Sequence, residues 1–191
     1  MRAPVVIDLE TKKTFREVKD NKDLGISMLG LYNYADGREY TIEESELGSV
    51  APLLENASYV IGFNIRSFDL PVFQPYYPGK VTDFQVFDLL DYVKDQIGKR
   101  PSLNDLVWAT LNKAKSGHGL MAIEYYRKGE MDKLKRYCLD DVMLSKELFE
   151  YGVRHDEVFY LTERGKTSIP AHWKKYLEKS QGNDTPLTLP F

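Results

Sequence analysis

The chain alternates between short apolar blocks and polar connectors, and the period inside each block separates strands from helices. Residues 3–9 (APVVIDL) form an apolar, β-branched run of the kind that becomes a buried central strand, and it ends in acid. GISMLGLYNY at 25–34 is again strand-like. The Asp-Gly turn signal in ADGR at 35–38 leads into EYTI, which predicts a hairpin of strands two and three. Residues 43–56 (EESELGSVAPLLEN) open with acids suited to a helix N-terminus, while Gly48 and Pro52 shorten or break that helix. SYVIGF at 58–63 predicts a fourth strand, NIRSFD a turn, and LPVFQPYY a short helix with Pro71 in its first turn.

A fifth short strand runs into a helix within VTDFQVFDLLDYVKDQIG, and residues 102–114 carry a Ser N-cap ahead of a helical apolar pattern. KSGHG at 115–119 is a loop. Residues 120–128 and 130–152 predict two more helices, the second striped by Leu134, Tyr137, Cys138, Val142, Leu144, Leu148 and Phe149. The chain beyond residue 152 reads as peripheral: VFYLT at 158–162 is a candidate late strand, and 179–191 is a polar, Pro-containing tail expected to be flexible. No internal repeat is present. The expectation is an α/β domain over residues 1–178 with a tail at 179–191.

Composition narrows this little. At 191 residues with 42% hydrophobic positions, one core is expected. The single cysteine, Cys138, allows no internal disulfide and no thiolate zinc pair, which fits a reducing cytoplasm. The N-terminus reads as neither signal peptide nor anchor, and no run reaches transmembrane length, so no membrane association is expected. A formal net charge of −3 argues against a broad basic nucleic-acid surface. It leaves open a small site in which clustered carboxylates carry cations.

Three local features bear chemistry. Asp8 and Glu10 lie two apart on a strand, so both carboxylates face one side of the sheet, and burying them calls for a divalent cation or a solvated strand end. Asp69 follows a strand and opens a helix, which suits either a rigidly presented ligand or an ordinary N-cap. Tyr137 and Asp141 stand four apart on a helix and share one face, as site residues or as a core tyrosine and a surface acid.

Taken in this order, VVIDLET, IGFNIRSFDLPVF and YCLDDV resemble the three exonuclease motifs of the DnaQ-like DEDD superfamily, in its tyrosine variant, over residues 3–152. The stretch from FDLL through YCLDDV is similar to a small, helicase-associated branch of exonucleases. The resemblance implies a ribonuclease H-like fold, a five-stranded mixed β-sheet flanked by α-helices. It also implies two magnesium or manganese ions, with Asp8 bridging them, Glu10 and Asp141 on one, and Asp69 reached largely through water. Such ions, roughly 3.5 to 4 Å apart, activate the attacking water and stabilise the leaving 3′ oxygen. Tyr137 then orients the water, since a phenol of ordinary pKa is a poor base.

The activity so implied is 3′→5′ exonuclease hydrolysis at single-stranded or frayed ends, DNA over RNA. Alternatives on the same fold are an endonuclease or junction resolvase, and a non-catalytic nucleic-acid-binding module. Asn64, Arg66 and Ser67 are candidate contacts to the terminal nucleotide, and Lys115 to backbone phosphates. Phe63, Phe68 and Tyr126 are candidate stacking groups, and Asp88 is a fifth acid left outside the ligand set. Pro186, Leu187, Leu189 and Phe191 resemble a peptide that docks on a replication sliding clamp, although the leading glutamine is missing.

Overall fold

Strand β1 (Val5–Thr11) is flanked on both sides by other strands, and its alternation sets up the molecule. The computed structural model describes residues 2–115, 117, 119–163 and 165–178. In chain order the further elements are β2 (Ile26–Asn33), β3 (Arg38–Ile42), α1 (Ala51–Glu55), β4 (Val60–Gly62), α2 (Asp69–Phe73) and β5 (Val86–Asp88). They are followed by α3 (Leu89–Ile97), α4 (Leu103–Leu111), α5 (Gly119–Lys128), α6 (Met131–His155), β6 (Glu157–Thr162), β7 (Gly165–Pro170) and α7 (Lys174–Leu177).

The main sheet has five strands in the order β3-β2-β1-β4-β5. The β1–β2 and β2–β3 pairs are antiparallel and the β1–β4 and β4–β5 pairs parallel, so the expected mixed α/β sheet is present. Odd positions of β1 (Val5, Ile7, Leu9) pack into one core with Leu70 and Phe73 of α2. The even position Val6 packs on the other face with Phe87, Val107 of α4 and Val142 of α6. Because side chains alternate along a strand, Asp8 and Glu10 are on Val6's face, the one covered by α6.

Gly30 is the residue opposite Asp8 on β2. A Cβ there would stand 2.8 Å from Val142 Cγ2 and 2.9 Å from Cys138 Sγ, so the missing side chain lets α6 lie directly on β1 and β2. A register shift between Glu10 and Thr11 closes the strand as a bulge, an irregularity that re-aims side chains beside sites.

Three expectations are corrected. β1 runs to Thr11, so Asp8 and Glu10 lie inside the strand rather than at its end, because Leu9 and Thr11 still pair with β2. α4 stops at Leu111, since Asn112 adopts a left-handed φ of 55°. The segment after α6 is not peripheral. β6 and β7 form a hairpin, and Thr110 of α4 exchanges hydrogen bonds with the Phe159 amide and carbonyl. Trp173 is fully buried, stacked on Phe149 and edge-on to Phe87. β7 escapes a periodicity reading because Ile169 is its one buried residue. The tail 179–191, with Pro186, Leu187, Leu189 and Phe191, lies outside the described residues, as do Ser116 and His118 of the KSGHG loop.

Candidate active site

Carboxylate oxygens of Asp8, Glu10 and Asp141 all come within 4.8 Å of one another at the edge where β4 stops. Glu10 and Asp141 are buried, and Asp8 is partly so. Asp141 arrives from α6, one turn after Tyr137, with Cys138 between them beneath β1. The Cys138 thiol lies 3.8 Å from the Asp8 carbonyl oxygen and donates to it.

The fourth acid is held by the backbone of the first motif. β4 pairs with β1 only at Val5 and Val6, which leaves the β1 edge beyond them open. The Leu9 N–H on that edge donates to Asp69 Oδ1 at 3.0 Å. Asp69 is therefore no N-cap: the capping position of α2 is Phe68, without a side-chain cap, and the Asp69 carboxylate is turned back across the sheet.

Four acids in so little space perturb one another. Burial, then the charges of Asp69, Asp141 and Glu10, push the Asp8 carboxyl well above its ordinary range. Glu10 is raised by burial and by Asp141. Burial raises Asp69 to about 7 against the pull of the Leu9 N–H. Asp141 is raised by burial, with the Lys115 ammonium working in the opposite direction.

Lys115 supplies the positive charge at the cluster. Its Nζ is 2.7 Å from Asp141 Oδ2, and its backbone N–H donates to Asn104 Oδ1 at 2.9 Å. Burial acts to lower its pKa, but Asp141 and Asp8 outweigh that and raise it. Two buried oxygens of the cluster, Asp141 Oδ1 and the Tyr137 hydroxyl, have no partner among the described residues beyond the interaction of these two side chains with each other. Burial and the surrounding acids raise the phenol far above its ordinary value. One ammonium against four carboxylates is a donor set that fits hard divalent cations.

The other candidate contacts sort differently. Asn64, at φ 66°, and Arg66 both donate their backbone N–H to Asp88, which also caps α3 through the Leu90 and Asp91 amides. Asp88 is thus a latch between the turn after β4 and α3, consistent with its place outside the ligand set. The Arg66 guanidinium donates to the Val86 carbonyl at 2.6 Å, on the far edge strand, and the Asn64 side-chain oxygen accepts from Arg100. Ser67 is exposed, with its carbonyl accepting from Asn21. Of these four, Lys115 is the one that the fold brings into contact with the acids.

Phe63 packs partly into the core beside α6, while Tyr126 sits 5.3 Å from the Lys12 ammonium. Phe68 meets Phe15 edge-on, and Phe15 is 59% exposed. Sequence reading passes over Phe15, whose only signal is a lone aromatic in the polar run TKKTFREV.

The sequence matches no protein-family model, and no curated protein matches it. Solved structures do match in shape. The chain is similar to RNase D of Trypanosoma brucei at a TM-score of 0.58 and 16% identity, over 78% of this chain and 57% of that one. It is similar to the same enzyme solved in complex with RNA U12 at the same score and identity, over 78% of this chain and 55% of that one. This chain thus spans little more than half the length of those proteins. The shared architecture is the ribonuclease H-like fold.

Proposed function

We propose that residues 1–178 form a metal-dependent phosphodiester hydrolase acting on nucleic acid, of the 3′→5′ exonuclease type. The observation that carries this reading is the meeting of Asp8, Glu10, Asp69 and Asp141, contributed by β1, the start of α2 and α6, beside the Tyr137 hydroxyl. The fold is also that of an RNase D solved with RNA, which supports a polynucleotide substrate. The lone buried Cys138 and the lack of other thiols fit a reducing compartment such as the cytoplasm.

Asp8, Glu10 and Asp141 are the residues to hold two Mg²⁺ or Mn²⁺ ions, with Asp69 assisting through the oxygen not engaged by Leu9. Bound cations supply an acidified water and charge stabilisation at the leaving 3′ oxygen. The protein does the rest. The Leu9–Asp69 bond fixes the acids relative to β1 before any cation arrives, which lowers the reorganisation needed. The Tyr137 hydroxyl keeps its proton and so orients the attacking water by hydrogen bonding rather than by abstracting from it. Lys115, the ammonium that the fold sets on Asp141, stands where it would meet a phosphate oxygen of a strand bound at the acids.

The test uses a 5′-labelled linear single strand and a circular strand of the same sequence, as DNA and as RNA, with Mg²⁺ or Mn²⁺. The expected result is stepwise shortening from the 3′ end with mononucleotide release, more on DNA, none on circles and none with EDTA. Nicking of the circle would replace this reading with an endonuclease. No hydrolysis in any arm would leave a binding module.

A further inference from the structure

A groove of about 880 Å³ lies between the α3–α4 connection, the outer face of α4 and the β6–β7 hairpin. Its walls differ in chemistry. One presents Lys99 and Arg100, just beyond the left-handed turn at Gly98. Neither is ion-paired with a carboxylate among the described residues, and Arg100 donates to the neutral Asn64 side chain at 2.7 Å. The other presents Trp108, 50% exposed, and Leu161, 54% exposed. A half-exposed indole on an amphipathic helix is unexplained by packing, because the buried face of α4 is made by Leu103, Leu106 and Val107.

Two acids also line the groove. Asp105 is engaged in the capping box of α4, accepting from the Ser102 amide, and Glu163 is at the hairpin turn. One residue touches both the groove and the candidate active site. Asn104 lines the groove and holds the Lys115 amide, while the Lys115 ammonium is on Asp141.

Unpaired cations beside an exposed aromatic are the chemistry that binds single-stranded nucleic acid, with phosphates on the cations and a base on the ring. We propose that this groove takes the single strand upstream of the 3′ end held at the acids, with a base stacked on Trp108 and phosphates on Lys99 and Arg100. This deepens the hydrolase reading and rests on it for the direction of the strand. It also explains how a chain of net charge −3 grips a polyanion: through a short local track rather than a basic surface.

The chain has two tryptophans, and Trp173 is fully buried, so quenching by an added strand reports on Trp108. Titrating the full chain with a ten-residue oligothymidylate in EDTA should quench the exposed component of emission, and Trp108→Ala should abolish the quench. By anisotropy of a labelled strand, W108A should bind about 10-fold more weakly and W108F about as well as wild type. Lys99→Ala and Arg100→Ala should each reduce the slope of log affinity against log salt by about 1. Unchanged melting of W108A shows that folding is not the cause.

No quench together with unchanged W108A affinity would overturn the groove assignment. Equal quenching by an acidic peptide would overturn it in favour of a protein-docking surface. The hydrolase reading is judged separately, by metal-dependent cleavage of a one-nucleotide p-nitrophenyl ester by the wild-type chain, a substrate with no upstream strand. Quenching without ester cleavage retains the groove and removes the hydrolase.

Discussion

Asp141 keeps one oxygen on an ammonium and lies beside the Tyr137 phenol, and that setting makes residue-level substitutions informative in two directions. Asp8→Asn or Asp141→Asn should lower metal-dependent hydrolysis by about 10³-fold or more, because each removes a proposed cation ligand. The same variants should melt higher than wild type in EDTA, since they relieve repulsion among buried acids. A lower melting point in EDTA would show that the cluster is held by something other than mutual repulsion and one lysine. Tyr137→Phe should cost about 10- to 1,000-fold in rate with little change in stability, because the hydroxyl it loses meets only Asp141 among the described residues. Wild-type turnover in that variant would remove the phenol from the mechanism.

At this scale the sequence is partly legible. Asp8 and Glu10 follow from the period of a strand, and Tyr137 with Asp141 from the period of a helix. The Leu9–Asp69 bond spans 60 positions and depends on β4 being short, which no local pattern encodes. The same holds for the places of Lys115 and Arg66, both expected as nucleic-acid contacts: the Lys115 ammonium lies on Asp141, and the Arg66 guanidinium reaches the Val86 carbonyl of β5.

Among the elements, α6 carries two of the five candidate site residues, and its height above the sheet is set by Gly30. Gly30→Ala should destabilise the fold by about 1–3 kcal/mol through overpacking against Val142 and Cys138. It should also lower the rate by about 10²-fold by shifting Asp141 away from Asp8. Chemical denaturation and single-turnover rates check both, and full activity with lost stability would mean that α6 tilts without moving Asp141. The five sheet strands are readable as short apolar runs between turn signals, and α4 from its helical pattern behind the Ser102 capping box. β7 and Trp173 are not. A polar ribbon with one inward residue has no period, and the tryptophan's place depends on Phe87 and Phe149, far away in sequence.

For the molecule as a whole, the acid cluster sets a pH dependence whose sign is fixed. Asp69 binds its proton more tightly folded, at about 7, than at its ordinary 3.8. Its contribution to the metal-free protein therefore falls as pH rises between those values, and Asp8 and Glu10 act in the same sense. The melting-temperature gap between cation-loaded and EDTA-treated protein should widen from about pH 5 to about pH 8. A gap independent of pH would argue against cation uptake by these carboxylates. No helix among the described residues is long and apolar enough to cross a membrane. Cys138 adds an internal clock: it is fully buried beneath Asp8, and burial raises its thiol pKa, so an alkylating reagent reaches it only when α6 lifts from the sheet. Its labelling rate times the opening of the seam across which the acids face each other, and divalent cations, by bridging that seam, should slow the clock.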